Sequence, residues 1–467
     1  MEYFDEHEEE QVNTLVLRFD QMLQQGDHYF FDVDEFELII DHYLWNNQLD
    51  KSNIAIKYAL DQHPRSVSFM LRKAQFLVSS NNVNKALDLL SEVESMEPEN
   101  PEIFMTKAGI YSQLKRYEKA IEEYNKAIKE AVDIEEVYTN IAFEYENLGK
   151  YDKAIEYLKK VLDINPESEA VIYELSFCFE ISNHSQESID FFTRFLDTNP
   201  YSKAAWFNLG IAYNNSESYE KAINAYDYTL AIDESFASAY FNKANSYANL
   251  GLYEKAIEFY SETFNYEEQE AMTYYYIGEC YEKLTNYDKA LKQYRRAIEL
   301  EPLLADAWLG VGLIYEELDK LNIAINHIKR AIDIEPANSE FWYILGDVQY
   351  KADSMEDALE SYKKVAELDP QNPEIWLDYS HIYAYDFDFD RALECIDAGI
   401  DKQPDNAEFL YRKFIYLLKY QQHKEAYRIL EQALFMDYDR HKFIFEYDPQ
   451  LQNDINILRI IEMYGKD

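Results

Sequence analysis

The sequence predicts an all-α solenoid of twelve tandem 34-residue units, each a helix-turn-helix pair, between two flanking helical segments. Three observations predict it. A small residue, often inside a K-A-I or K-A-L triplet, returns at intervals of 34 residues or a multiple: Ala86, Ala120, Ala154, Ala222, Ala256, Ala290, Ala324, Ala358, Ala392 and Ala426, with Ser52 and Ser188 in the two remaining places. Inside each unit the apolar residues recur at spacings of 3, 4 and 7, the period of an amphipathic helix. Finally, 467 residues hold only eleven Gly and eleven Pro, too few for an all-β chain with its frequent turns.

Taken in chain order, residues 9–25 read as an amphipathic helix ended by Gly26, and the acidic first ten residues are expected to fray. DHYFFD leads into the first unit, so 1–32 is the N-terminal flank and 33–440 the repeat array without insertion or deletion. Position 8 of a unit is small in most cases (Ala74, Ala108, Gly210, Gly278, Gly346) and is expected to face the small residue at position 20, so that two helices approach closely. Large residues surround that contact, with Trp206, Trp308, Trp342 and Trp376 at position 4 and tyrosines such as Tyr145 and Tyr281 at position 11. Pro98, Pro166, Pro200, Pro302, Pro336, Pro370 and Pro404 stand at position 32, where proline stops the second helix. Val132, Glu234, Glu268 and Tyr438 replace it, which points to a softer joint near 230–270. After Arg440, HKFIFEYD and a helix from about Pro449 to Tyr464 form the C-terminal flank, 441–467, which is expected to cover the end of the array.

Segments such as AWFNLGIAYNNSESYEKAINAYDYTLAID and DAWLGVGLIYEELDKLNIAINHIKRAIDIEP resemble the tetratricopeptide repeat family, and the resemblance runs in register over 33–440. It departs at Gln349, which replaces the position-11 aromatic, and at Ile40 and Phe414, which occupy position 8 of the end units. The resemblance implies a right-handed superhelix whose first helices line a concave groove, with positions 2, 5, 6, 9, 12 and 13 facing it. It also implies a module that binds other proteins.

Charge narrows the partners. Eighty-nine Asp and Glu against forty-four Lys and Arg leave a net charge of −45, which disfavours nucleic acid and anionic membrane surfaces. The 47% hydrophobic content argues against disorder, and no apolar run approaches the ~20 residues of a membrane span. MEYFDEHEEE carries no secretory signal pattern. Cys178, Cys280 and Cys395 are too scattered for a disulfide framework or a metal site and read as inert core thiols of a reducing compartment, which makes the expected location the cytoplasm. No phosphate loop, nucleophile elbow, H-E-x-x-H or CxxC occurs, so neither enzyme, metal nor cofactor is expected.

The groove positions are acidic but uneven, with eighteen acidic residues against Arg72, Lys283, Lys351, Arg412 and Lys419. The sixth and seventh units carry no charge there and offer Phe207, Asn208, Ile211, Asn214 and Asn215, then Phe241, Asn242, Asn245 and Asn249. The fourth and fifth add Asn140, Phe143, Asn147, Tyr173 and Phe177, and the eighth adds Tyr275 and Tyr276. An Asn amide can both donate to and accept from a peptide unit, while aromatic rings supply flat apolar area. The arrangement resembles the asparagine ladder of O-linked N-acetylglucosamine transferases at Asn140, Asn208 and Asn242, all at position 6. Asparagines at these positions also serve simply to solubilise a groove, and both readings stand at this point. A chaperone-type clamp for a C-terminal carboxylate is disfavoured, because Asn and Glu occupy the places of its Lys and Arg. Two functions therefore remain: an adaptor or chaperone-like module for an extended, neutral-to-basic segment of another protein, and a scaffold that self-associates into a homo-oligomer through its flanks and convex surface.

Overall fold

Each 34-residue unit between Val33 and Arg440 folds as two antiparallel helices, in most units over positions 1–13 and 17–30. This is a computed structural model, and it describes residues 6–26 and 28–465. Residues 1–5, half of the stretch expected to fray, lie outside the described residues; from Glu6 the chain is helical.

The described residues divide into two compact units, Met1–Glu234 and Ser235–Asp467. The first holds α1 (Glu6–Gln25) and the pairs α2/α3 (Val33–Trp45, Leu49–Gln62), α4/α5 (Val67–Ser79, Val83–Met96), α6/α7 (Pro101–Gln113, Tyr117–Ala127), α8/α9 (Ile134–Asn147, Tyr151–Ile164), α10/α11 (Glu169–Ile181, Ser185–Thr198) and α12/α13 (Lys203–Asn215, Tyr219–Ile232). The second holds α14/α15 (Ala237–Asn249, Tyr253–Thr263), α16/α17 (Ala271–Lys283, Tyr287–Leu300), α18/α19 (Ala305–Glu317, Leu321–Ile334), α20/α21 (Ser339–Lys351, Met355–Leu368), α22/α23 (Pro373–Tyr385, Phe389–Lys402) and α24/α25 (Ala407–Lys419, His423–Met436), then α26 (Phe443–Tyr447) and α27 (Ile455–Tyr464). No strand occurs among the described residues.

Local chemistry sets the helix ends. Ser66, Asn100, Ser202, Asn338, Asn372 and Asn406 each cap a first helix by accepting a hydrogen bond from a backbone N–H of its first turn. Between the helices of a pair, position 15 is left-handed in all twelve repeats, yet only Gly149 and Gly251 are glycine there. The other ten, from Asn47 to Gln421, hold φ between 53° and 62° against a steric cost of about 1–2 kcal/mol each. In ten of the twelve repeats the second helix stops two residues before position 32, and α13 does so even with Glu234 in place of proline. By contrast α7 and α15, followed by Val132 and Glu268, have 11 residues rather than 14. Absence of proline therefore permits a shorter helix without requiring one.

Proline contributes in another way. The indole Nε1 of Trp206, Trp308, Trp342 and Trp376 donates to the carbonyls of Pro200, Pro302, Pro336 and Pro370 at 2.9, 3.0, 2.9 and 3.1 Å, tying position 4 to the end of the preceding repeat.

Packing inside each pair corrects one expectation. The small residue at position 8 makes room chiefly for the side chain at position 24, one turn beyond position 20. A Cβ on Gly278 would lie 2.7 Å from the ring of Tyr294, and one on Gly346 would meet Tyr362 in the same way. On Gly312 it would meet Ile328 at 2.7 Å, with the Ala324 carbonyl at position 20 farther off at 3.3 Å. Tyr226, Tyr260 and Tyr294 are consequently among the most deeply buried side chains. The hydrophobic core is a chain of neighbouring clusters, each built by adjacent repeats, such as Tyr294 with Val311 and Ile314.

Candidate functional site

Within each unit the first helices of successive repeats lie side by side, and side chains at positions 2, 5, 6, 9, 12 and 13 meet across them. Arg72 pairs with Asp41, Ser68 donates to Glu37 at 2.5 Å, the Tyr343 hydroxyl donates to Asp378 at 2.6 Å, and Lys351 pairs with Glu316. These positions share one face.

On that face of the first unit, Phe143 and Phe177 occupy position 9 of α8 and α10 and are 56% and 47% exposed. Ile211 follows at position 9 of α12, half-buried, with Asn215 exposed beside it and Asn214 half-buried. Asn147 is exposed at the end of α8, and Asn140 is half-buried one turn before Phe143. The Phe177 ring stands edge-on to Tyr151, 6.4 Å between centroids. Two candidates do not line a groove. Phe207 is only 7% exposed because it packs against Tyr226 and, edge-on, against Tyr173, at 5.9 and 6.4 Å. Asn208 is only 2% exposed, and its amide donates back to the Ala204 carbonyl at 2.8 Å. Tyr173 is itself half-buried by this contact.

In the second unit, Asn249 is exposed, and Phe241, Asn242, Asn245, Tyr275 and Tyr276 are half-buried. Much of their bonding capacity is already used. Asn242 donates to Ser238 O at 2.9 Å, Asn245 accepts from the Tyr260 hydroxyl, and Tyr275 donates to Glu279 at 2.9 Å. Phe241, Tyr260 and Tyr276 form an aromatic block with centroids 5.4–5.8 Å apart. A position-6 asparagine therefore tends to close on its own helix, and the supposed ladder loses Asn208 as a rung.

Acid dominates the face. Glu146 and Glu174, on α8 and α10, converge with the buried Cys178, whose thiol donates to Glu146 at 3.6 Å. Burial, with the hydrogen bond and the negative charge of Glu174, pushes Glu146 up to about 8. Most of the basic groove residues are occupied within the chain. Beyond the two pairs already described, Lys419 bonds Asp448 at 3.2 Å and the Arg412 guanidinium lies 4.0 Å from the Tyr447 ring centre. The Tyr447 hydroxyl also meets His381 Nδ1 at 2.8 Å, so the segment after α25 turns back onto the first-helix face of the last two repeats. This flank therefore does more than cover the end of the array.

A cavity of about 550 Å³ opens on the same face at α4, α6 and α8, beside Gly109. Of the candidate residues it includes only Asn140. The available signal was a glycine at position 9, where the flanking repeats carry Gln75 and Phe143.

All three cysteines are free and buried, and burial pushes the Cys280 and Cys395 thiols up to about 12. Among the described residues no helix is long and apolar enough to cross a membrane.

Profile models described as tetratricopeptide repeat match residues 77–139, 135–168, 182–235, 215–266, 271–304, 315–373 and 349–411, together well over half of the chain. No curated protein matches it. Among solved structures, the Cut9–Hcn1 hetero-tetramer of the APC/C is similar at 15% identity and TM-score 0.40, over 87% of this chain and 93% of that one. MamA is similar at 23% identity and TM-score 0.33, over 35% of this chain and 95% of that one. YrrB, described as a TPR protein with an unusual peptide-binding site, is similar at 23% identity and TM-score 0.32, over 39% and 93%. The profile matches agree with the 34-residue frame and its helix pairs: the chain belongs to the tetratricopeptide repeat family.

Proposed function

We propose that this protein is a non-enzymatic interaction module that holds an extended, neutral-to-basic segment of another protein against the first-helix face. The observation that carries the reading is the pair of exposed rings at position 9 of adjacent repeats, Phe143 and Phe177, with exposed Asn147 beside them. Exposed aromatics in successive repeats offer apolar area at a repeating interval, and the amide serves the peptide bonds of the ligand. The surrounding carboxylates favour a partner without negative charge. The free, buried thiols fit a reducing compartment, so we place the protein in the cytoplasm.

The test is selection from a displayed library of random twelve-residue peptides on the immobilised chain. Enriched peptides should be neutral to basic, weaken as salt rises, and lose at least tenfold in affinity (about 1.4 kcal/mol or more) in the double variant Phe143→Ala, Phe177→Ala. Enriched peptides whose affinity ignores both salt and the double variant refute the reading.

A second reading, self-association, is favoured by the exposed Phe435 of α25 and the exposed Ile455 and Met463 of the C-terminal flank. It requires a dimer by sedimentation that Phe435→Asp with Met463→Asp dissociates. A monomer at 100 times the working concentration refutes it.

A further inference from the structure

The chain has eleven glycines, and ten of them have a structural reason. Gly26, Gly149 and Gly251 hold a left-handed φ. Gly210, Gly278, Gly310, Gly312, Gly346, Gly399 and Gly465 would each drive a Cβ into a neighbouring side chain. Gly109 alone has neither excuse. It lies inside α6 with no left-handed φ, and a Cβ there would meet nothing within 4 Å. Glycine inside a helix lowers its stability, and at Gly109 the fold gains no packing in return. What the missing side chain leaves is depth, the cavity of about 550 Å³ beside it.

Tyr124 of α7 lines this cavity. It is 5% exposed, and its hydroxyl meets no hydrogen-bond partner among the described residues. Its counterparts at position 24 show what is missing. Tyr260, Tyr294 and Tyr362 donate to Asn245, Glu282 and Asp347, at position 9 or 12 of the same repeat. Tyr226 also lacks a partner, but it is fully buried, and its repeat carries Ile211 rather than glycine at position 9. In the third repeat, position 9 is Gly109, so the Tyr124 hydroxyl is both unpaired and open to the cavity.

The walls define the ligand. Glu136 is the one charged residue lining the cavity, Asn140 and Thr106 add polar atoms, and Met105 and Val78 add apolar surface. Burial, with the negative charges of Glu144 and Glu136, pushes the Tyr124 hydroxyl up to about 12. An aliphatic stem ending in a cation matches this lining, with methylenes along the apolar wall and donors facing Glu136 and the Tyr124 oxygen.

We propose that the trough beside Gly109 is a binding site for a long basic side chain, an arginine or lysine of the segment held on this face. It deepens the groove reading and rests on it for the source of that side chain.

The test is saturation-transfer NMR on the full chain with three small probes: the N-acetyl methylamides of arginine, lysine and norleucine. The basic probes should take up saturation along their side chains, and norleucine should not. Gly109→Gln, which extends a side chain into the trough, should abolish the signal. Glu136→Gln should weaken it about tenfold, with helical circular dichroism showing both variants folded. Equal saturation of norleucine and arginine, or an arginine signal that survives Gly109→Gln, overturns the proposal. The Phe143→Ala, Phe177→Ala variant separates the two readings, since it should leave the probe signals unchanged. If the probes bind but no library peptide does, the groove reading fails and this site stands. If peptides bind and the probes are silent, this site fails and the groove reading stands.

Discussion

The same substitution, glycine to alanine in a first helix, should change sign between Gly109 and Gly278. Both residues sit in helix interiors, so alanine brings each about 1 kcal/mol of helix propensity. At Gly109 nothing opposes it, because no atom lies within 4 Å of the added methyl. At Gly278 the methyl would lie 2.7 Å from Cδ1 and Cε1 of Tyr294, nearly 1 Å inside the usual carbon–carbon contact of about 3.5 Å. The ring has little room to retreat. A Cβ on Gly310, on the next first helix, would lie 2.7 Å from the same ring, and the hydroxyl is held by Glu282 at 2.7 Å. Overpacking of a rigid site costs about 1–3 kcal/mol, and the clamped ring argues for the upper end. Gly109→Ala should therefore stabilise its repeat by about 1 kcal/mol, and Gly278→Ala should destabilise its repeat by about 2 kcal/mol. A repeat array need not unfold as one unit, so the measurement must be local. Hydrogen exchange read by mass spectrometry should show amides of α6 and α7 exchanging roughly fivefold more slowly in Gly109→Ala. Amides of α16 and α17 should exchange roughly thirtyfold faster in Gly278→Ala. Shifts of the same sign in both variants would falsify the packing argument.

Removing the position-24 hydroxyl should likewise depend on its partner. Tyr226→Phe deletes a buried, unpartnered hydroxyl and should be neutral or stabilising by about 1 kcal/mol, whereas Tyr294→Phe leaves Glu282 without its donor and should cost about 1.5–3 kcal/mol, both by local exchange. Phe387, 81% exposed at φ 61°, should tolerate Phe387→Gly with a gain near 1 kcal/mol in protection of α22 and α23. For Glu146 the folded pKa, about 8, stands above the usual carboxylate value of 4.5, so between these limits the folded state binds the extra proton. Its contribution is then most favourable below 4.5 and is lost as pH rises through 8. Protection of α8 and α10, corrected for intrinsic exchange, should fall over that window in the parent chain and stay flat in Glu146→Gln. A parent profile as flat as the variant's would contradict the buried-acid assignment.

Periodicity in the sequence was enough to read the helix pairs, because a 34-residue recurrence of small and aromatic positions repeats the same evidence twelve times. What it left out concerns geometry at single positions. Whether position 8 faces position 20 or position 24 depends on how two helices cross, and both positions are apolar. The left-handed position 15 left only a partial trace in residue type: Asn, Asp or Gly fills it at Asn47, Asn81, Gly149, Asn183, Gly251, Asp319 and Asp353, but Lys115, Glu217, Thr285, Phe387 and Gln421 occupy it as well. The candidate face was read from repeat position alone, which names the side of a helix but not the neighbour lying on it. Asn208 and Phe207 share positions with the exposed or half-exposed Asn140 and Phe241, yet are buried by local packing. Gly109 was hidden for the opposite reason. Its role lies in a missing side chain, visible only against the contacts that explain every other glycine.

The contact between His381 and Tyr447 spans 66 residues, nearly two repeats, whereas each helix pair closes within its own 34. On a ribosome, where the chain emerges from its N-terminal end, each pair can dock on a neighbour already made, and loops stay short throughout. The last two repeats are different. Arg412, Lys419 and His381 wait uncovered until residues 447 and 448 emerge, so the end of the array is the last part to reach its final charge balance. During that interval the most basic stretch of the first-helix face stands open beside an otherwise acidic nascent chain, and the docking of Tyr447 closes it.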